Sequence, residues 1–272
     1  MQQMIQVVEI VKRMRGPSRA VHAVASNGWH YVVKPPMIGR RALINEWIGA
    51  RLLRMVGVTA PDVVPIRITR SIADAAWPEA MADDDIIGVA SAYPVNPSQQ
   101  GVYDFLPDAL LLDVPNLEHF IGALAVDLWA GKTDQRHTVY ARQGLMWAHF
   151  VDHKNLFGGA RWDCSFSKGG SMRNPAASKA YRRLLNEQQI DFWCAQISAI
   201  RPEALTKMLA SVPDYWLDAT TSKQLDALAL QLLSRKHLIS AMLHEEMVRV
   251  ARVHASHIPC ECCNMNVGVS CP

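Results

Sequence analysis

The order of strand-like and helix-like segments constrains the fold of this chain more than any single motif does. Asn27-Gly28 is a two-residue hairpin turn signal, and it separates two short segments rich in β-branched and aromatic residues. Pro35-Pro36 ends the second of them. The first third of the chain predicts strands at 5–12, 21–25, 29–34, 63–68 and 86–90, and one helix at 41–56.

The rest of the chain is predicted to be mainly helical. Its strongest signal is an apolar stripe at helical spacing from Leu117 to Leu128, which ends near Gly131. A short hairpin, with strands at 139–140 and 147–151, turns at Gln143-Gly144. Further helices are predicted at 178–185, 190–200, 202–210 and 222–244, the last with a capping box at Thr221-x-x-Gln224.

Strands followed by helices predict an α+β fold with two lobes. The stretch Pro94–Gly101, rich in Pro, Ser, Gln and Gly, is the best candidate for the boundary between the lobes. The expected organisation is a β-rich lobe over 1–93, a mainly helical lobe over 94–245, and a poorly ordered His/Cys-rich tail over 246–272.

Composition narrows the functional class. Half of the residues are apolar and the net charge is only +3, which gives no reason to expect a nucleic-acid partner. No apolar run reaches the roughly 20 residues of a membrane span, and Glu9 and Lys12 interrupt the N-terminal apolar run where a secretory signal would be continuous. The cysteines form no paired framework. We therefore expect a soluble, cytoplasmic protein.

Two charged residues and a turn in the first lobe suggest a phosphate site. Lys34 ends the third predicted strand, and Glu46 lies on the following helix, where it can reach back to Lys34. Gly16 and Ser18 lie in the turn between the first two strands, where backbone N–H groups can cradle phosphate.

Two aspartates in the second lobe complete the set that ATP-dependent phosphoryl transfer requires. Asp134 lies in the loop after the amphipathic helix, where it can orient an acceptor hydroxyl. Asp152 ends the following hairpin, where it can hold Mg²⁺. Each residue taken alone is more simply a solvated strand end, a surface glutamate or a turn aspartate. Their order along the chain, which is the order a kinase requires, favours the functional interpretation.

Several segments in this order resemble the HipA-like kinases, from about the N-terminus to residue 240. They are Trp29–Pro35, Arg41–Glu46, Tyr103–Pro107, Asp127–Trp129, Gly131–Asp134, Val151–His153 and Val212–Leu217, together with His137.

The resemblance implies a bilobed protein-kinase-like fold, ATP and Mg²⁺ as cofactors, and Ser/Thr-directed phosphotransfer. It also implies roles by position: Lys34 as the nucleotide lysine with Glu46 as its helix partner, Asp134 as the catalytic aspartate, His137 as a histidine of the same loop, and Asp152 as the metal ligand. Some family members are toxins of toxin–antitoxin pairs, so an antitoxin-like protein is a possible partner. The acceptor stays open between a protein and a small molecule.

This sequence departs from the family pattern at three positions. Lys132 stands where the family usually has an Asn, and Lys154 replaces the usual glycine after Asp152-His153. Val139 stands where the family usually has a metal-binding Asn, and Val cannot ligate Mg²⁺, which prefers oxygen. Three hypotheses follow: an active kinase, a nucleotide-binding pseudokinase that regulates or scaffolds, and a plain α+β binding domain without nucleotide.

The tail carries a weaker signal. Its run His254-x-x-His257-x-x-Cys260-x-Cys262-Cys263 resembles a zinc site, but adjacent cysteines suit one tetrahedral centre poorly. A poorly ordered tail with reactive thiols is the simpler interpretation.

Overall fold

A computed structural model describes residues 4–78, 84–159, 162 and 181–255 of the chain. The strands are β1 (Val7–Arg13), β2 (Val21–Ala25), β3 (His30–Lys34), β4 (Val63–Ile68), β5 (Ile86–Ala92), β6 (Val102–Tyr103), β7 (His137–Gln143) and β8 (Leu145–Val151). The α-helices are α1 (Arg40–Met55), α2 (Arg70–Ala76), α3 (Asp108–Leu111), α4 (His119–Trp129), α5 (Glu187–Ser198), α6 (Pro202–Leu209), α7 (Ala219–Arg235) and α8 (Ile239–Ala255).

The first five strands form one antiparallel sheet in the order β1-β2-β3-β5-β4. The turn between β2 and β3 is a three-residue loop over 26–28 rather than the predicted two-residue turn, because the Gly28 N–H donates to the Ala25 carbonyl oxygen at 2.8 Å and the Ala25 N–H donates to the Trp29 carbonyl oxygen at 3.0 Å. Gly28 closes the loop with φ of 77°, which glycine adopts without steric cost. Strand β3 is central, and its last residue, Lys34, pairs with Val89 of β5. The lysine is therefore fixed by backbone hydrogen bonding at the middle of the sheet.

A second antiparallel sheet has the order β6-β7-β8 and contains the predicted hairpin. Its strands are longer than predicted, because β7 and β8 pair continuously from His137 and Val151 to Gln143 and Leu145. Gly144 at the turn has φ of 75°. The hairpin places His137 opposite Val151, which precedes Asp152.

Two apolar clusters organise the described residues. The smaller lies between the first sheet and α2, and includes Val33, Ile66 and Trp77. The larger contains α1 together with α4 and the later helices. Helix α1 thus precedes the predicted lobe boundary in sequence but packs into the larger core, and this packing fixes Glu46 relative to the second sheet.

The final helices differ from the sequence prediction. Instead of one helix over 222–244, the chain forms α7 and α8 with a short 3₁₀ segment, Lys236–Leu238, between them. The predicted capping box at Thr221 is also wrong: Asp218 is the N-cap, and its carboxylate accepts from the Thr221 backbone N–H at 2.7 Å. The carboxylate of Asp218 satisfies a free N–H group of the first turn, so the helix begins at Ala219.

The predicted tail is partly corrected as well. Helix α8 continues to Ala255, so residues 246–255 are helical rather than poorly ordered. The cysteines of the predicted zinc-like run lie outside the described residues, as does most of the predicted acidic turn at 80–85 and the first part of the predicted helix at 178–185. No helix among the described residues is both long and apolar enough to cross a membrane.

Candidate active site

Three of the predicted site residues meet at the end of β3. Lys34 Nζ forms a buried ion pair with Glu46 of α1 and donates to Asp152 Oδ1 at 2.9 Å. Lys34 and Glu46 are 8% and 3% exposed, so their charges are largely removed from water. The structure therefore brings together residues from the first sheet, α1 and the end of the hairpin.

The charges of this group stabilise one another. Burial alone would lower the pKa of Lys34, but the carboxylates of Glu46 and Asp152 outweigh it and raise that pKa. Burial would raise the pKa of Asp152, but Lys34, then Lys154 and Lys132, lower it well below its usual range. Lys34 and Asp152 are accordingly both charged at neutral pH.

The segment after β8 is held against α1. Glu46 Oε1 also accepts from the Lys154 backbone N–H at 3.0 Å, and Asn45 Nδ2 donates to the Lys154 carbonyl oxygen at 2.6 Å. Gly49 allows this approach, because a Cβ atom there would overlap Cβ of His153. Asp152 itself has φ of 60°, a left-handed conformation that is uncommon for an aspartate and is often found at functional sites.

Asp134 belongs to a second, adjacent group. Its Oδ1 pairs with Lys132, and its Oδ2 accepts from Asn155 Nδ2 at 2.7 Å. Thr133 N–H donates to the Asn155 carbonyl oxygen at 3.0 Å, which ties the Asp134 loop to the segment after Asp152. Asp134 keeps 35% of its side chain exposed, so it can still be approached from solvent.

Lys132 is almost fully enclosed, with 1% of its side chain exposed. Burial is the main reason that its pKa is lowered, and Arg136 adds to the effect, whereas Asp127 and Asp134 oppose it. Lys132, which departs from the family pattern, therefore pairs a buried ammonium group with Asp134, the predicted catalytic aspartate.

A third group of charges lies sealed behind the site, and the sequence analysis did not predict it. Arg136 and Asp127 of α4 form a buried ion pair through two hydrogen bonds, one from Arg136 Nε to Asp127 Oδ2 at 3.0 Å. Arg136 also donates to His153 Nδ1 at 2.6 Å and to the Val151 carbonyl oxygen at 3.1 Å. All of these side chains except that of Val151 are at most 3% exposed. One signal was available: Asp127 interrupts the apolar helix and so needed a buried partner.

The predicted residues Gly16, Ser18, Lys34, Glu46, His137 and Asp152 line one cleft of about 260 Å³ between the two sheets. Gly16 has φ of 118°, and a Cβ atom there would meet nothing within 4 Å, so the glycine serves the backbone conformation of the turn. Val139 and Lys154 line the same cleft. Asp134 does not occur among the described lining residues; it is bonded to Asn155, which follows the lining residue Lys154 in the chain.

Within the described ranges, no group of three or more His, Cys, Asp or Glu residues is arranged to hold a metal ion. Asp152 offers a carboxylate, with 24% of its side chain exposed. Mg²⁺ is commonly bound through one or two carboxylates plus substrate phosphates, so a single cleft carboxylate fits that cation only together with ligand oxygens that the protein does not supply. The fit is incomplete, because both Asp152 oxygens already face lysines.

Comparison with known proteins concerns the family and the fold of the chain. Residues 7–98 match the model of a family described as HipA-like kinase. No curated protein matches the chain.

Solved kinase structures resemble the whole described fold. The crystal structure of the Helicobacter pylori proinflammatory kinase CtkA aligns with a TM-score of 0.57 at 12% identity, covering 88% of this chain and 94% of that chain. The crystal structure of the Golgi casein kinase with Mn/ADP bound aligns with a TM-score of 0.50 at 12% identity, covering 90% of this chain and 74% of that chain. The chain therefore has a protein-kinase-like α+β fold, and its first third matches the HipA-like kinase family, as the sequence predicted.

Proposed function

We propose that this protein is an ATP-dependent phosphotransferase of the HipA-like serine/threonine type. The observation that carries the proposal is the assembly of Lys34, Glu46 and Asp152 at the edge of a cleft that also contains the Gly16 turn. These residues come from three separate parts of the chain, and a kinase fold needs this set to bind a triphosphate.

Lys34 pairs the phosphates of the nucleotide in this proposal, and Glu46 holds its ammonium group in place. The buried ion pair between them leaves Lys34 ordered before the nucleotide arrives. The turn at Gly16 and Ser18 covers the phosphates with backbone N–H groups, which favour anions because they carry partial positive charge.

Asp134 orients the acceptor hydroxyl. The hydroxyl oxygen attacks the γ-phosphorus, the bond to the ADP oxygen breaks, and the hydroxyl proton passes to the Asp134 carboxylate and then to solvent. Lys132 and Asn155 each occupy one Asp134 oxygen and so restrict its rotation. His137, which is exposed at the start of β7 just after the Asp134 loop, lines the cleft.

Asp152 is the residue that would hold Mg²⁺, together with the phosphates themselves. When bound, the cation neutralises charge on the β- and γ-phosphate oxygens. The low pKa of Asp152 keeps its carboxylate ionised, as an oxygen ligand of Mg²⁺ must be.

A nucleotide-binding pseudokinase is the second candidate, and Val139 favours it. Val139 lines the cleft at the place where the family pattern has a metal-binding Asn, and its side chain has no oxygen to offer. Nucleotide binding without transfer would then make the protein a regulatory or interaction module. A plain binding domain without nucleotide is the third candidate. It does not explain why a lysine is buried at the edge of the cleft.

The acceptor is a hydroxyl of a protein or a small molecule, and an antitoxin-like protein remains a proposed partner. The proposed location is the cytoplasm. The one cysteine within the described ranges, Cys194, is a free thiol, and a reducing compartment suits it.

Thermal unfolding and radiolabel transfer from γ-labelled ATP, measured in the same samples, test the proposal. Active phosphotransfer predicts a higher melting temperature with ATP and Mg²⁺, and label on the protein itself or on an added acceptor that Asp134→Asn and Asp152→Asn both remove. A higher melting temperature without label on any added acceptor, protein or small molecule, would favour the pseudokinase. No change of melting temperature at saturating ATP would contradict both, since ATP at about a hundred times its Kd adds about 2.7 kcal/mol of stability.

A further inference from the structure

The ammonium group of Lys154 is the second one, after that of Lys34, to lie beside the carboxylate of Asp152, the predicted metal ligand. Its Nζ lies 3.5 Å from Asp152 Oδ2, while Lys34 Nζ lies 2.9 Å from Asp152 Oδ1. Each oxygen of the Asp152 carboxylate therefore faces a lysine. A divalent cation that approached this carboxylate would have to displace at least one of them.

The position of Lys154 is fixed by its backbone. Its N–H donates to Glu46 Oε1 at 3.0 Å, and its carbonyl oxygen accepts from Asn45 Nδ2 at 2.6 Å. The side chain is 18% exposed and lines the cleft together with Lys34 and the Gly16 turn. Lys154 is thus an anchored cation facing the space where the triphosphate is expected.

Lys132 supplies a third ammonium group beside the same site. It is paired with Asp134, and the next residue of its loop, Thr133, donates its N–H to the Asn155 carbonyl oxygen at 3.0 Å, which ties the loop to the segment that carries Asp152 and Lys154. The carboxylates of Glu46, Asp134 and Asp152 are therefore matched by an equal number of lysines.

A divalent cation ordinarily has two effects in such a site: it neutralises the carboxylates and it neutralises the phosphates. Here the lysines have already neutralised the carboxylates. Repulsion between the site and a free triphosphate is consequently removed before any metal binds. Lys154 and Lys34 also have N–H groups that can turn from Asp152 to phosphate oxygens, since an ammonium group has three donors.

We propose that Lys154, supported by Lys132, takes over the charge of a divalent cation in nucleotide binding, so that the cleft binds a nucleoside triphosphate with little dependence on metal. This inference rests on the proposed nucleotide site. It concerns binding alone, and the transfer step can still require the cation. It also gives the two lysine departures from the family pattern a common role.

Calorimetric titration with the nonhydrolysable analogue AMP-PNP, in Mg²⁺ and in EDTA, tests the inference on the full chain. For the wild type, we expect the Kd of AMP-PNP in EDTA to be less than about threefold higher than in Mg²⁺. For Lys154→Met, we expect EDTA to raise the Kd more than about tenfold, which corresponds to about 1.4 kcal/mol. Methionine keeps an unbranched side chain of similar length and removes the charge together with its three N–H donors. Lys132→Met should change the ratio in the same direction by a smaller factor, because Lys132 contacts Asp134 rather than the cleft.

Lys223→Met is the matched control, since Lys223 is exposed on α7, and it should keep the wild-type ratio. Wild-type binding that occurs only with Mg²⁺ would overturn the inference and leave the proposed kinase intact. An equal EDTA effect in the wild type and Lys154→Met would also overturn it. Binding in neither condition would overturn both the inference and the proposed nucleotide site. If Lys154→Met does not fold, wild-type binding that depends on Mg²⁺ still overturns the inference, and Lys132→Met still tests the role of the lysines.

Discussion

Neighbouring residues of one short segment face two different groups of charges. Asp152 faces the open group, which consists of Lys34, Glu46 and Lys154 and lines the cleft. His153 faces the sealed group, in which Arg136 bridges to Asp127. Both groups contain buried ion pairs, so burial of charge by itself does not identify a functional site in this molecule.

Access to the cleft distinguishes the two groups. The side chain of Asp152 is 24% exposed, whereas the side chains of Asp127 and Arg136 are each 2% exposed. In the sealed group, Arg136 donates hydrogen bonds to α4, to β8 and to His153. It therefore holds these three parts of the chain together as a structural clamp. We infer that the sealed group positions the segment that carries Asp152, and that the open group contacts ligand.

The largest effect on stability is expected from Asp127→Asn. The substitution keeps the shape of the side chain but leaves the Arg136 guanidinium buried without a counter-charge, which should lower the free energy of unfolding by about 3–5 kcal/mol. Urea unfolding measures the change, and Asp226→Asn on the exposed face of α7 is the control, with no measurable loss expected. A loss below about 1 kcal/mol would show that the sealed group is not a clamp.

Gly49→Ala tests the contact that holds the two groups next to each other. The added Cβ overlaps His153 and also meets the Leu156 side chain, so the segment after β8 must move away from α1. We expect a loss of about 1–3 kcal/mol in the free energy of unfolding, in spite of the higher helix propensity of alanine. Nucleotide affinity should fall as well, because Asp152 shifts with His153. Unchanged stability and affinity would mean that the close approach at Gly49 is not needed.

Part of this arrangement could be predicted from sequence and part could not. Lys34 and Glu46 were predictable because a strand end and the following helix are near in sequence, and their order matched a known pattern. The Arg136–His153 contact and the fit at Gly49 depend on how separate elements dock, which local periodicity does not encode. Asn155 was missed for the same reason, although a polar residue so close to Asp152 was a usable signal. The break between α7 and α8 could not be predicted, because the sequence has no glycine or proline at that point.

A pH effect should arise outside both groups, at His149 of β8. Burial lowers the pKa of His149 to about 4, and within the described residues its Nε2 has no hydrogen-bond partner. The unfolded chain binds a proton near pH 6.5 while the folded chain does not, so stability should fall as the pH decreases from about 6.5 toward 4.

His149→Leu should remove that part of the pH dependence, about 1–2 kcal/mol between pH 7 and pH 5. Chemical unfolding at both pH values measures it in the wild type and the variant. Burial also lowers the pKa of His22 to about 4 and that of His153 well below its usual value, so a residual slope is expected in His149→Leu. An identical slope in the two proteins would contradict the assignment to His149.

The smallest effect on stability is expected from Asp152→Asn, although the substitution should abolish phosphate transfer. Asparagine tolerates the left-handed backbone at this position, its amide oxygen can still accept from Lys34, and Lys34 keeps Glu46, so the cost should be about 1 kcal/mol, well below that of Asp127→Asn. Urea unfolding beside Asp127→Asn makes this a matched comparison of one substitution in both groups. Equal losses from the two variants would remove the distinction between an open and a sealed group.

Hydrogen exchange read by mass spectrometry, with and without AMP-PNP and Mg²⁺, tests most directly whether the open group forms a nucleotide site. The account predicts slower exchange in the turn at 14–20 and in the segment 152–158, with no change in α7 and α8. Both protections should disappear in Lys34→Met. Protection confined to other segments, or none at saturating nucleotide, would contradict the assignment of this cleft.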